Sequence, residues 1–304
     1  MTRVLLFGSS GQIGSELLRQ LQQRASASSR PGMPCELTAL SRTDCDLSDP
    51  DAVHAAIARA KPQVIVNAAA WTAVDRAEAE PHACHRINAE APAAMAAAAR
   101  DSGALLVHYS TDYVFDGSAR RPYREDDPVA PLSEYGRSKL AGEQAITATS
   151  CAAVILRTSW VYGLTGQNFL RTMLRVGEAR EELGVVDDQH GSPTWSRAIA
   201  RATLQILDQH AHDPASWGGI SGIYHASSGG STTWHGFARA IFERAPGRAH
   251  RPRLRPVSTA DYPLPAPRPA WSVLDCGRLG ARFGITLPEW RSSLAECLAD
   301  APQA

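Results

Sequence analysis

Short apolar runs alternating with amphipathic stretches constrain the fold of this chain more than any other feature. Residues 3 to 8 (RVLLFG) form an apolar run ending in glycine, and 11 to about 24 reads as a helix with Ile13, Leu17, Leu18 and Leu21 on one side. The alternation continues through a strand at 37–40, a helix at 51–60, and a strand at 64–66 that runs into Asn67-Ala68-Ala69-Ala70. An Ala-rich helix near 90–100, a strand at 104–109, a helix around 135–139 and a strand at 153–157 follow. Strands and helices alternating at this pitch predict an α/β fold, a Rossmann-type doubly wound parallel sheet covered by helices on both faces.

After about residue 165 the pattern becomes irregular. The expected organisation is a dinucleotide-binding domain over 1–165, to which 195–226 returns with a helix at 196–209 and a strand at 222–225. A smaller C-terminal substrate-binding lobe takes 166–194 and 227–304. Residues 245–271 are rich in Pro and Arg, so a loop or semi-rigid linker is expected there, with Arg248, Arg251, Arg253, Arg255 and Arg268 as candidates to attract an anionic substrate.

Bulk composition narrows the partners. With 304 residues and 44% hydrophobic content the chain can bury a sizeable core, and its formal charge of zero gives no reason to expect nucleic acid or a membrane surface as partner. No apolar run approaches the roughly 18–20 residues of a membrane helix, and Val4-Leu5-Leu6-Phe7 is too short for a signal peptide, so a cytoplasmic location is expected. Cys35, Cys45, Cys84, Cys151, Cys276 and Cys297 form no C-x-x-C pair and read as free thiols, mostly buried. His82 and His85 flank Cys84 on what reads as a solvated helix face, not a metal site.

Three local patterns carry chemistry. Gly8-Ser-Ser-Gly11-Gln-Ile-Gly14 follows the first strand and opens the first helix, where a glycine turn brings backbone amides and a helix N-terminus to a pyrophosphate; a tight turn without a ligand is the alternative. At the end of the second strand, where an NAD site usually places a carboxylate, stands Leu40-Ser41-Arg42. A hydroxyl followed by a guanidinium suits a 2′-phosphate, an exposed surface arginine being the other reading. Tyr135-Gly-Arg-Ser-Lys139 sets a phenol and an ammonium one helical turn apart. Of 31 basic residues only Lys61 and Lys139 are lysines, so Lys139 is kept where arginine serves elsewhere.

Together with Ser110-Thr111 at the end of the fourth strand, these residues resemble the extended short-chain dehydrogenase/reductases along nearly the whole chain. Asn67-Ala-Ala-Ala-Trp-Thr-Ala-Val-Asp75, Tyr109-Ser-Thr-Asp-Tyr-Val-Phe-Asp-Gly117, Arg157-Thr-Ser-Trp-Val-Tyr162, Asp188-Gln-His-Gly-Ser-Pro-Thr194 and Arg268-Pro269 resemble the dTDP-4-dehydrorhamnose reductase family more narrowly. That resemblance implies reduction of the C4 ketone of a dTDP-linked 6-deoxy-hexulose by NADPH, with NADH possible. Thr111, Tyr135 and Lys139 are then catalytic: Tyr135 protonates the nascent oxyanion, Thr111 holds the carbonyl oxygen, and Lys139 contacts the cofactor ribose and lowers the tyrosine pKa. The cofactor would lie against Gly8, Gly11, Gln12, Ile13, Gly14, Ser41, Arg42, Asp46, Leu47, Ala68, Ala69, Ala70, Tyr135 and Lys139, with Asp46-Leu47 at the adenine edge. The dTDP-sugar would meet Thr111, Asp112, Tyr113, Trp160 on the sugar, Asn168 on the diphosphate and Gln189 near the base. For Trp160, Asn168 and Gln189 a purely structural role is the alternative.

Two departures from the family pattern matter. Some members bind Mg²⁺ through glutamates at a dimer interface; Glu16 matches one position, but Arg197 stands where another glutamate is expected. No Mg²⁺ is therefore expected, Glu16 reads as a solvated residue, and the protein is expected to be a monomer or weak homodimer. Trp271 also replaces a small polar residue in Arg268-Pro-Ala-Trp-Ser272. Two alternatives to this activity remain: a non-catalytic regulatory subunit resembling that of methionine adenosyltransferase, and a reductase of another nucleotide-linked 4-keto sugar.

Overall fold

A computed structural model describes residues 1–26, 35–245 and 252–301, so Arg248 and Arg251 lie outside the described residues. In chain order the first half contains β1 (Thr2–Phe7), α1 (Gln12–Ser26), β2 (Cys35–Leu40), α2 (Pro50–Ala60), β3 (Val64–Asn67), α3 (Val74–Ala79), α4 (Pro81–His85), a π-helical turn (Arg86–Glu90), α5 (Ala91–Ser102), β4 (Leu105–Thr111), α6 (Glu134–Ala148) and β5 (Ala153–Thr158). The second half contains β6 (Val161–Tyr162), α7 (Phe169–Ala179), β7 (Glu182–Val186), β8 (His190–Gly191), β9 (Thr194–Trp195), α8 (Ser196–His210), α9 (Trp217–Ile220), β10 (Gly222–His225), β11 (Thr232–Thr233), α10 (Trp234–Arg244), β12 (Arg253–Val257), α11 (Gly277–Phe283) and α12 (Trp290–Ala299).

Six strands form one sheet in the order β10-β5-β4-β3-β1-β2, every neighbouring pair parallel. Alternate residues of each strand enter separate cores. Val4 and Leu6 of β1, Val64 and Val66 of β3, and Leu105 and Val107 of β4 face one core, shared with Leu17 of α1 and Ile199 of α8. Leu5 and Phe7, Ile65, and Leu106 face the other, shared with Val53 of α2 and Met95 of α5. A strand buried on both sides is predominantly apolar, which is why these segments read as near-continuous runs. Strand order reverses between β1 and β3, and a ligand crevice is expected beyond their carboxyl ends.

The second half pairs non-locally. The strand β10 hydrogen-bonds to β5 and ends the sheet, and α8 packs on α1. The linker reading of 245–271 needs correction: β12 pairs in parallel with β7, from Arg253↔Glu182 to Val257↔Val186. Its partner comes from 71 residues earlier, which local composition does not reveal. Arg253 and Arg255 ion-pair with Glu182 of that partner strand.

Among the described residues no helix is long and apolar enough to cross a membrane. Cys45, Cys84 and Cys297 are buried and the other three thiols partly so. Cys84 is not on a solvated face: its Sγ lies 3.1 Å from the Ser138 hydroxyl of α6, while His82 and His85 are exposed. Glu16 is not solvated either. Arg19 donates to its Oε2 at 2.7 Å and Arg197 at 3.1 Å, Arg197 pairing also with Asp300.

Candidate active site

Glycine chemistry shapes the mouth of the crevice. Gly8 has φ +78°, a left-handed value open to glycine, and a Cβ there would stand 2.6 Å from the Ala69 amide. A Cβ on Gly14 would stand 2.0 Å from the Gly8 carbonyl. The turn therefore closes only with glycine at both positions, Gly8 and Ser9 donating to the Leu40 carbonyl at 2.8 and 3.0 Å. Gln12 and Ile13 open α1 at this edge, where the first-turn amides of a helix have no intrahelical acceptor. Ala68, tied by its amide to the Phe7 carbonyl at 3.0 Å, and Ala69 and Ala70 continue the rim from β3. A tight backbone turn leading into helix-start amides that lack an intrahelical acceptor fits a dinucleotide pyrophosphate.

The end of β2 differs from expectation. Ser41 is not free: its amide and hydroxyl both donate to Asp44 Oδ2, at 2.8 and 2.6 Å, which holds the Asp44 carboxyl below its ordinary range. A carboxylate thus stands beside Arg42, which is exposed. Asp46 accepts from the Ser48 amide at 2.9 Å, and Leu47 points into the core.

The helix α6 brings Tyr135 and Lys139 to the same edge. Ser133 caps it by accepting from the Gly136 amide at 3.2 Å. Gly136 and Gly142 let it approach closely, since a Cβ at either would stand 2.3 Å from the Tyr113 carbonyl or 2.2 Å from the Asn88 carbonyl. Asn88, in the π-helical turn, accepts from the Trp71 amide at 2.8 Å and donates to the Ser138 hydroxyl at 3.0 Å. It therefore ties the loop after β3 to the helix that carries the tyrosine. The sequence offered no signal for Asn88 beyond its place in an Ala-rich helix.

Thr111 ends β4 and is buried. Its hydroxyl donates to Asp112 Oδ1 at 3.0 Å and accepts from the Tyr113 amide at 3.2 Å, while Ser159 donates to Asp112 Oδ2 at 2.9 Å. Burial pushes the Asp112 carboxyl up to about 6 against the pull of hydrogen bonds from Ser272, Ser159 and Thr111. Tyr113 meets Tyr135 edge to face with ring centroids 5.8 Å apart. Burial raises the Tyr135 phenol above its usual pKa, and a hydrogen bond with Thr111 acts the other way. Lys139 lies one turn further along α6. Its Nζ donates to the Tyr109 carbonyl at 2.6 Å and faces His108 Nε2 at 3.3 Å, and burial brings the ammonium itself down to about 8.

On the other side of the crevice, Trp160 has φ +45° and stacks on Trp234, centroids 3.5 Å apart and planes 4° from parallel. A Cβ on Gly191 would stand 2.3 Å from its indole, so Gly191 makes room for that ring. Gln189 is buried with its amide engaged, accepting from Trp234 Nε1 at 3.1 Å and donating to Thr259 at 3.0 Å. Asn168 caps α7, and its Nδ2 donates to Gln12 Oε1 at 3.0 Å. Arg268 grips Asp75 with two hydrogen bonds of 2.8 Å, joining the C-terminal segment to the loop after β3. No group of His, Cys, Asp or Glu among the described residues could hold a metal ion.

A parallel doubly wound sheet with a glycine turn after β1 and a Thr, Tyr and Lys set between β4 and α6 defines a dinucleotide-dependent reductase of the short-chain type. Comparison with known proteins narrows this. Residues 1–302 match the family described as RmlD substrate binding domain, and the chain belongs to this dTDP-4-dehydrorhamnose reductase family. A dTDP-4-dehydrorhamnose reductase of Burkholderia thailandensis is 44% identical, with 98% of each chain covered. A probable dTDP-4,6-dihydroxy-2-methyloxan-3-one 4-ketoreductase of Streptomyces antibioticus is 40% identical over 98% of this chain and 95% of its own. The crystal structure of dTDP-4-dehydrorhamnose reductase from Bacillus anthracis in complex with NADP superposes with a TM-score of 0.87 at 33% identity, covering 99% of both chains.

Proposed function

We propose that this protein reduces the C4 ketone of dTDP-4-dehydro-L-rhamnose to dTDP-L-rhamnose in the cytoplasm, with NADPH as cofactor and NADH as a weaker substitute. The observation that carries this reading is the convergence of Thr111, Tyr135 and Lys139 at the carboxyl edge of the sheet, beside a turn that admits no side chain at Gly8 or Gly14. The cofactor supplies the hydride. Gly8, Gly11, Gln12, Ile13 and Gly14 hold its pyrophosphate and Ala68–70 its inner edge. Tyr135 gives its proton to the carbonyl oxygen as charge develops there. Thr111, oriented by Asp112, holds that oxygen; to donate to it the hydroxyl must release Asp112, so Asp112 decides which way the Thr111 proton points. The described residues 166–194, 227–245 and 252–301 form the substrate lobe in this reading, with the edge of Trp160 beside the sugar.

The Streptomyces relative favours a second reading, in which the same machinery reduces another dTDP-linked 4-keto sugar. Following NADPH absorbance with dTDP-4-dehydro-L-rhamnose, and with other dTDP-linked 4-keto sugars and GDP- and UDP-linked ones alongside, separates these. Turnover only on a different keto sugar replaces the substrate; no turnover on any sends the protein to the regulatory class. Tyr135→Phe keeps the ring and removes the proton, so turnover should fall by roughly 10² to 10⁴ while NADPH binding persists. A variant as fast as the parent removes Tyr135 from the acid role.

A further inference from the structure

Asn67, His108 and Lys139 form a buried row running from β3 through β4 to α6, 1%, 0% and 2% exposed. Asn67 and His108 are neighbours in the parallel register, and the sequence singled out neither side chain. The hydrogen bonds fix their protons. Asn67 Oδ1 accepts from the Ala69 amide at 3.2 Å, so its NH₂ is the end that faces His108 Nδ1, 3.1 Å away. An NH₂ only donates, hence Nδ1 is the bare nitrogen and the proton of the neutral imidazole sits on Nε2. That N–H faces Lys139 Nζ at 3.3 Å. Two N–H groups cannot bond to each other. The contact becomes a hydrogen bond only when Nζ offers a lone pair, that is, when Lys139 is an amine.

We propose that His108, its tautomer set by Asn67, is a positioning residue that receives Lys139 as a free amine and so eases loss of the ammonium proton. An ammonium there has to give up the imidazole and turn its N–H elsewhere, keeping only the Tyr109 carbonyl at 2.6 Å. The other groups facing Nζ favour the ammonium: Glu143 one turn along α6, itself paired with Arg157, and Cys84 on α4. Burial opposes them and leaves Lys139 at about 8. Protonating His108 instead is opposed by burial, which holds it well below the usual histidine range. The consequence for turnover rests on the reductase reading: a lysine poised near neutrality stands one helical turn from the acid.

Lys61 and Lys139 are the only lysines, and Lys61 is exposed, so the full chain labelled with ¹³Cε-lysine shows two resonances, one of them an internal reference. Lys139 should titrate clearly below Lys61. In His108→Gln, whose carboxamide can turn its oxygen to Nζ, the Lys139 midpoint should rise by about one unit. Asn67→Ala keeps the imidazole but frees Nδ1 to take the proton, and should move Lys139 the same way. An unmoved midpoint in both folded variants overturns the proposal, as does a parent Lys139 that titrates with Lys61. Should neither variant fold, ¹⁵N-imidazole shifts of the parent decide: His108 protonated on Nε2 supports the proposal and on Nδ1 refutes it. None of these readings uses cofactor or substrate, so they stand apart from the success of the enzyme assay. In that assay the pH profile of kcat should move with the midpoint; a slower enzyme with an unmoved profile marks a merely structural histidine.

Discussion

Replacing Glu143 with Gln removes one charge from a pair closed to solvent. Arg157 donates Nε to Glu143 Oε1 at 2.9 Å and Nη2 to Oε2 at 2.7 Å, the side chains being 3% and 2% exposed. The guanidinium also lies over the Phe115 ring, 5.1 Å from its centroid. After the substitution it keeps that charge but faces one neutral oxygen in place of two charged ones. Breaking one side of a buried pair costs about 3–5 kcal/mol, and Gln, which retains an acceptor, belongs near the lower figure. In a chain of 304 residues about 1 kcal/mol lowers Tm by roughly 1.5–2 °C, so a fall of about 5–6 °C is expected by calorimetry or circular dichroism. The double variant Glu143→Met/Arg157→Met leaves no unpaired charge and should recover most of the loss. A drop below about 2 °C, or a double variant no better than the single, refutes the reasoning. Because the pair fastens α6 to β5, the same substitution should reduce turnover, and the loss of the Glu143 charge should lower the Lys139 midpoint.

Other predictions are more local. Arg42→Ala should weaken NADPH binding by about ten- to a hundredfold and spare NADH, whereas Asp44→Ala, which removes the carboxylate and frees Ser41, should shift preference further to NADPH; equal effects on both cofactors would place neither residue at the 2′ position. Burial holds the Asp112 carboxyl at about 6, above its unfolded value, so the folded state binds this proton more tightly. Its contribution to stability is therefore full below about pH 4 and declines as pH rises to about 6, by on the order of 3 kcal/mol. Asp112→Asn should flatten that stretch of the stability curve, and a variant curve parallel to the parent's would refute the assignment. Dialysis against EDTA should leave activity and solution mass unchanged, since Arg19 and Arg197 already neutralise Glu16; activity restored by Mg²⁺, or a dimer formed by it, would overturn this.

The doubly wound sheet was legible because each of its inner strands is buried on both faces, and burial on both faces writes a near-continuous apolar run into the sequence. The glycine turn was legible for a related reason: Gly8 and Gly14 occupy places where a Cβ collides with backbone, so steric necessity reaches the sequence directly. Tyr135 and Lys139 share a helix, where spacing alone sets their common face.

The remainder depended on residues far apart in the chain. The strand β12 looked like a linker because its hydrogen bonds go to β7, and Glu16 looked solvated because Arg197 arrives from α8, 181 residues later. Asp44 folds back onto Ser41, a contact that the reading of Ser41-Arg42 alone did not include. Trp160 and Gln189 were given to the substrate by their place in a motif, yet Trp234 covers one face of the first and occupies the amide oxygen of the second. Periodicity and steric exclusion are properties of a few neighbouring residues, so the sequence by itself determined the sheet, the nucleotide turn and the Tyr-Lys pair. Which partner meets a polar side chain, and hence the protonation of Lys139 and Asp112, is set by chain segments brought together only on folding, and the tertiary structure decided it.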